Sequence, residues 1–383
     1  MITIDGVALP GREGVFGLTL REGLVAAVTP GQQTSDIRWL ALPGLVNLHA
    51  HADRCGTVQS FRPRSFADAL AAAARARAAF TVADVQSRSK RFFERSLAHG
   101  VTRIRTHTDV DPIVDLRSMQ GVLAAKAEVA GRIDVDVIAF STSRNDLAEP
   151  AAVARLVRAI ELEPDFLGAS LNSSADPGRA LDALLDLAEH TGLPVDIHLD
   201  EHLEPHNMLS RAVTDAVIAR GLHGRVTLSH LCALSTLEPK SAHELIERIA
   251  RAGITVVALP QTNLFLQDRA VGTPLRRGVT LVHELLAAGV NVRFGTDNVR
   301  DWFFPFGDGD MLDTALFGAV AAQLDDQTQL IAAICDGRAA IEQGAPADLV
   351  LVPAASFDDA LARRPADRIV FKAGRQVSGP SLS

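Results

Sequence analysis

The chain has 383 residues, 47% hydrophobic and 22% charged, with 38 Lys and Arg against 46 Asp and Glu for a net charge of −8. That length accommodates a full barrel plus a smaller module, and the composition is too apolar for a disordered chain. The acidic balance, with dispersed basic residues, argues against a nucleic-acid partner, and no apolar run approaches the ~20 residues of a membrane helix.

Residues 1 to 43 read as short β segments separated by turns, with Pro10-Gly11 and Pro30-Gly31 as punctuation. The start, Met1-Ile2-Thr3-Ile4-Asp5-Gly6, has neither the basic region nor the apolar core of a signal peptide. Cys55, Cys232 and Cys335 are odd in number and far apart, which fits a reducing cytoplasm and reads each as a buried free thiol. Tyr is absent, so no tyrosine serves as acid, base or clamp.

From residue 44 onward, strand-like runs alternate with Ala- and Leu-rich helical stretches, the βα rhythm of a parallel sheet. Predicted strands are Leu45 to His51, Thr102 to Asp109, Val135 to Phe140, Phe166 to Leu171, Pro194 to His198, Arg225 to His230, Ile254 to Leu259 and Val290 to Thr296. Predicted covering helices include Ala67 to Phe80, Ala152 to Leu162, Arg179 to His190, Ala242 to Ala252 and Leu281 to Ala288. Arg75, Arg77 and Arg88 read as ordinary solvated helix faces. Asp348 to Val352 and Arg368 to Phe371 are β-like again. About eight strands suit a closed (β/α)8 TIM-like barrel over 44–342. Segments 1–43 and 343–383 would fold together as a small β-sandwich.

Four motifs sit at the C-terminal ends of strand-like runs, where such a barrel gathers its chemistry: His49-Ala50-His51, His198-Leu199-Asp200-Glu201, Ser229-His230 and Gly295-Thr296-Asp297. His49 and His51 are two apart on a strand, so they share a face. Three histidines and a carboxylate suit one divalent transition metal, which activates water near neutral pH. Glu201, three residues past His198, stands where a general acid/base would work beside the metal. Asp200, His202, His107 and Asp109 read as loop or supporting residues around the ligands. The bland reading of all four motifs is a set of satisfied polar groups at strand ends. No Lys occurs from Phe166 to Asn172, so a lysine carbamate bridging two metals has no candidate there.

These motifs carry a resemblance. With Pro43-Gly44-Leu45-Val46-Asn47 before the His pair, Arg105-Thr106-His107-Thr108-Asp109, Asn263-Leu264-Phe265-Leu266-Gln267 and Asp297-Asn298 leading to Trp302, the chain resembles the amidohydrolase superfamily, cytosine deaminase-like branch, over nearly its whole length. The resemblance implies that His49, His51, His198 and Asp297 bind one Zn or Fe ion. It implies that Asp297 also takes a proton from the activated water, that Glu201 protonates the ring nitrogen and that His230 orients the attacking oxygen. Trp302 is implied as a stacking residue, although an amphipathic residue buried at the barrel mouth reads the same way in sequence. Phe61 to Phe66 either caps the pocket or forms a surface loop with two snorkelling arginines.

The pattern departs in two places. Ser141-Thr142-Ser143 follow the third barrel strand where a ring-reading Gln is expected, and Asn298 replaces an Asp. An amide both donates and accepts while a carboxylate only accepts, so Thr142 and Asn298 become candidate substrate contacts. The expected activity is ammonia release from a cyclic amidine such as cytosine, isocytosine, 5-methylcytosine or a pterin. Alternatives are hydrolysis of a cyclic amide or of an N-substituted aminotriazine, and a non-catalytic barrel scaffold. The expected partner is a small nitrogen heterocycle, with a homo-oligomer as a reasonable assembly.

Overall fold

The computed structural model describes residues 1–33, 37–58, 60–269 and 276–381. The chain opens with β1 (Ile2–Ala8), β2 (Phe16–Arg21), β3 (Leu24–Pro30) and β4 (Trp39–Pro43). The barrel starts at β5 (Leu45–Ala50), followed by α1 (Phe66–Arg77) and α2 (Val82–Ala98). Strands β6 (Val101–Val110), β7 (Asp134–Ser141), β8 (Phe166–Ser170) and β9 (Val195–Leu199) alternate with α3 (Arg117–Val129), α4 (Pro150–Ile160) and α5 (Pro177–Thr191). The second half runs α6 (Ser210–Ala219), β10 (Val226–His230), α7 (Pro239–Arg251), β11 (Thr255–Ala258), α8 (Pro260–Leu266), α9 (Val282–Ala287) and β12 (Asn291–Phe294). Helices α10 (Met311–Ala322) and α11 (Gln327–Ile334) lead to β13 (Leu349–Val352), α12 (Phe357–Arg363), β14 (Ile369–Lys372) and β15 (Arg375–Ser378).

Strands β5 to β12 pair in sequential order as one parallel sheet. Its two edges meet at a parallel bridge between Ala50 and Asp297, where the Asp297 amide donates to the His49 carbonyl at 2.8 Å. Eight parallel strands with covering helices make an α/β, TIM-like barrel. Val290 to Thr296 is the most trimmed of the expected strands. It pairs only over Asn291–Phe294, because the chain turns out of the sheet before Asp297, whose φ is +57°.

Strands from both chain ends share one seven-stranded sheet, ordered β15-β14-β13-β4-β1-β2-β3. Strand β4 joins the halves, antiparallel to β13 and parallel to β1. The sheet folds round on itself: Leu24 of β3 bridges Pro346, just before β13. Ile4, Val7, Leu18, Leu349, Leu351 and Phe371 fill the fold with a core of their own.

Local signals set the helix ends. Ser65, Thr81 and Asp176 accept from the backbone amides of Asp68, Asp84 and Arg179 as N-caps of α1, α2 and α5. Gly192 ends α5 in the left-handed region at φ +76°. Among the described residues, no helix is long and apolar enough to cross a membrane.

Two of the arginines expected on solvated faces are buried. Arg77 reaches from the last turn of α1 to Asp109 and Asp111 at the end of β6. Arg88 donates to the Asp53 carbonyl at 2.8 Å and also pairs with Asp84. Their partners at the barrel lie tens of residues away in sequence, so the helical pattern alone cannot reveal the pairing. Arg75 is exposed, as expected.

Candidate metal centre and cavity

His49 lies at the end of β5 and His51 just past it, His198 lies in β9, and Asp297 follows β12, so four donors meet from three strands at one end of the barrel. One donor atom from each lies within 4.8 Å of the others, and all four residues are buried. The His51 Nε2 atom sits 3.2 Å from His198 Nε2 and 3.1 Å from the Asp297 carboxylate. His230, at the end of β10, and Glu201, just past β9, stand beside them, His230 Nδ1 3.7 Å from Glu201 Oε1.

The hydrogen bonds behind the rings decide which nitrogens are free. The His51 Nδ1 atom faces the His107 carbonyl at 3.2 Å. A carbonyl only accepts, so Nδ1 carries the proton and Nε2 keeps its lone pair. The His49 Nδ1 atom is 2.8 Å from the Ser229 hydroxyl, which donates onward to Asp196 at 3.0 Å. His49 therefore donates from Nδ1, and its buried Nε2 is left without a hydrogen-bond partner. Burial drives the His49 pKa down to about 4, and the His51 and His198 values well below their ordinary range. Neutral rings are the metal-binding form. Unprotonated imidazole nitrogens and a carboxylate crowded at about 3 Å repel one another unless a cation lies among them. This donor set fits one divalent ion, with nitrogen and oxygen ligands suited to Zn or Fe.

His230 is polarised the opposite way. The Asn263 side-chain amide donates to its Nδ1 at 3.1 Å, which puts the proton on Nε2, a buried N–H with no partner. Both His230, at φ +79°, and Asp297, at φ +57°, occupy the left-handed region, which is uncommon for non-glycine residues. The two carboxylates also differ. Burial and the charge of Asp297 push the Glu201 pKa well above its usual value. Burial opposes ionisation of Asp297 too, but positive charge at the His49 and His51 ring edges, which a bound cation would supply when the rings are neutral, outweighs it and holds Asp297 well below. Carboxylates pushed apart in this way mark an acid and a base.

His51, His198 and Asp297 form the floor of a cavity of about 270 Å³, with His230 and Glu201 beside them. One wall is apolar, made by Phe66, Leu70 and Ala73 of α1 with Phe303. The other comes from the strand ends of β7 and β8, with Thr142, Ser143, Arg144 and Asn172.

Comparison with known proteins adds the lineage. Residues 142–378 match the model of the amidohydrolase family. A pterin deaminase from Rhizobium rhizogenes is 30% identical, over 98% of this chain and 91% of its own. The chain belongs to the amidohydrolase family. A crystal structure of 5-methylcytosine deaminase from Klebsiella pneumoniae, liganded with 5-fluorocytosine, superposes with a TM-score of 0.91 at 26% identity, covering 100% of this chain and 98% of that one. N-isopropylammelide isopropylaminohydrolase from Burkholderia multivorans superposes with a TM-score of 0.83 at 28% identity, over 98% and 97%. This amidohydrolase is thus a hydrolase acting on C–N bonds.

Most of the expected site residues lie together in the amidohydrolase cavity. Thr142 and Asn298 line it, Thr142 donating to Asp111 at 2.9 Å and Asn298 to Asp301 at 2.7 Å. Trp302 does not line it. Its ring is buried 6.5 Å from Phe80, and the next residue, Phe303, lines the cavity. A one-residue offset on an irregular loop is invisible in sequence. His107 supports the ligand layer, its ring 4.0 Å from that of His49 and its Nε2 3.2 Å from Asp196. Asp200 is a loop anchor, accepting from the amides of Leu209 and Ser210. Cys55 and Cys232 are buried free thiols. Sequence reasoning missed Arg54, Arg144 and Phe303 as cavity residues. For Arg54 the one available signal was its position three residues after His51.

Proposed function

We propose that the chain is a mononuclear metal-dependent aminohydrolase that releases ammonia from an amino-substituted nitrogen heterocycle. The observation that carries this reading is the donor cluster at the base of the cavity: His49, His51, His198 and Asp297 within 4.8 Å of one another, with the Glu201 carboxyl beside them and its pKa raised where that of Asp297 is lowered. The similarity to a pterin deaminase and a 5-methylcytosine deaminase supports an amino-pterin or amino-pyrimidine ring. Buried free cysteines fit a cytoplasmic setting.

His49, His51, His198 and Asp297 would hold the ion. A bound Zn or Fe ion supplies Lewis acidity and lowers the pKa of a water molecule. Asp297, ionised, accepts a proton from the attacking water. His230 holds the water oxygen through its Nε2–H. Glu201, kept protonated by burial, gives its proton to the ring nitrogen next to the amino-bearing carbon, making that carbon electrophilic. Water oxygen bonds to the carbon, the C–N bond to the amino group breaks, the nitrogen leaves as ammonia with the proton that Asp297 accepted, and the remaining hydroxyl proton returns to Glu201 as the carbonyl forms. A ring carbonyl and ring N–H remain. Phe303 and Phe140 line the cavity with apolar surface, and polar contacts beside such surface are stronger than in water.

The test is ammonia release by metal-reconstituted protein from pterin, cytosine, 5-methylcytosine, isocytosine, an aminotriazine and creatinine. Glu201→Gln should lower the rate on any hit by about 10²- to 10⁴-fold while leaving metal content intact. Equal rates for the two proteins would sink the mechanism. An alkylamine product in place of ammonia would move the reading to N-substituted triazines.

A further inference from the structure

Three arginines line the cavity, and they are not equivalent. Arg54 pairs with Asp109 and Asp301, and Arg77 with Asp109 and Asp111, so both guanidinium groups are spent inside the protein. Arg144 follows β7 at the cavity mouth, exposed, and has no carboxylate partner among the described residues. Its backbone amide donates to the Thr142 hydroxyl at 3.2 Å, which ties its position to a residue that itself lines the cavity. The carboxylates lining the cavity, Glu201 and Asp297, both belong to the metal end. Ser143 adds a half-buried side-chain hydroxyl next to Arg144. Asn172, the other polar neighbour, already uses its amide on Asp200, His202 and the Asn207 carbonyl.

The cavity is therefore divided. Its floor handles a leaving amino group, its α1 wall is apolar, and its outer polar edge carries one uncompensated positive charge on a chain of net charge −8. We propose that the substrate carries an anionic substituent, a carboxylate or a phosphate, on the side of the heterocycle away from the amino group, and that Arg144 recognises it with Ser143. The inference rests on the deaminase reading above. It identifies Arg144 as a specificity-determining residue. A guanidinium already in contact with water loses little hydration on meeting such a group, and its planar fork matches two anion oxygens.

The test compares three ligands of one ring: pterin, its 6-carboxylate, and the phosphate ester of its 6-hydroxymethyl derivative. Binding is measured by calorimetry on metal-reconstituted Glu201→Gln protein with and without Arg144→Glu, and kcat/KM is measured in the otherwise unaltered enzyme. The anionic ligands should bind more tightly than pterin, and Arg144→Glu should weaken them by about 10-fold more than it weakens pterin. The tighter of the two anions identifies which group the site is built for. Equal affinity for neutral and anionic ligands, no binding of any, or one loss shared by all three overturns the proposal. Ammonia release from pterin without an anion preference would sink the role of Arg144 alone, whereas the absence of ammonia from every ring would sink the deaminase reading itself.

Discussion

Gly295 is where the closing seam of the barrel and the metal donors come closest, and replacing it with Ala is the sharpest test of how the site is held. A Cβ added there would lie 2.7 Å from His49 Cβ and 3.0 Å from the His49 amide nitrogen and carbonyl oxygen. Carbon atoms prefer separations of about 3.5 to 4.0 Å, so the two strands must part by roughly 1 Å. Two of the three atoms met are backbone, so no rotamer change relieves the contact. The same stretch carries the Asp297-to-His49 hydrogen bond of 2.8 Å, so parting the strands moves Asp297 away from His49 and His51 together. Overpacking of this kind destabilises by about 1–3 kcal/mol. Misplacing reacting groups by about 1 Å costs about 10²-fold in rate. Gly295→Ala should therefore fold with a lowered Tm, bind substoichiometric metal by elemental analysis, and lose about 100-fold in kcat/KM. Full metal occupancy with activity within about twofold of wild type would refute the argument that this contact sets the donor geometry.

Three further outcomes are expected. Ser229→Ala removes the hydroxyl between His49 Nδ1 and Asp196 and should weaken metal binding by about 10- to 100-fold in a competition with a chelator, with secondary structure unchanged by circular dichroism. Arg77→Leu strips a partner from two buried carboxylates and should cost about 3 kcal/mol in urea unfolding, the low end for a broken buried pair because Asp111 keeps its bonds from Thr142 and the amides of Ile113 and Val114. A cost near zero would mean that the two carboxylates are held by their remaining partners without the Arg77 guanidinium. The third concerns His99: burial disfavours its charge, but the hydrogen bond to Asp308 and the charge of Asp310 outweigh that and raise its pKa above the ordinary value. Its stabilisation is complete below the unfolded value near 6.5 and fades as pH rises through the raised folded value. The Tm gap between wild type and His99→Gln should be wide at about pH 5.5 and narrow by about pH 9, and a gap independent of pH would show that the pair is not ionic.

The clustering of the candidate donors was legible because each ends an apolar run: strand periodicity placed His49 and His51 on one face, and Asp196-Ile197-His198 and Leu228-Ser229-His230 end comparable runs. The eight strands were legible for the same reason. What stayed hidden depends on partners distant in sequence. Arg77 reads as a solvated helix residue until Asp109 and Asp111 are folded beneath it, 32 and 34 positions away. Helix α2, the 17-residue element over Val82–Ala98, does not stand out because its buried face mixes Phe92, Phe93 and Leu97 with Arg88, Ser89 and Ser96. The cavity wall at Phe303 rather than Trp302 was out of reach, because loop geometry and not periodicity decides which of two adjacent aromatics faces inward.

Two of the candidate metal donors, His49 and Asp297, belong to the first and last strand ends of the barrel, and the Asp297 amide donates to the His49 carbonyl. The centre is thus completed by the same event that joins the sheet edges. During synthesis, a chain that has not yet released residue 297 has an open-edged sheet and lacks the fourth donor, so it cannot hold an ion in the full set. If these four residues hold an ion, its capture would require correct closure of the barrel. A barrel that closes one residue out of register would place Thr296 or Asn298 where Asp297 should be, and would emerge without its metal.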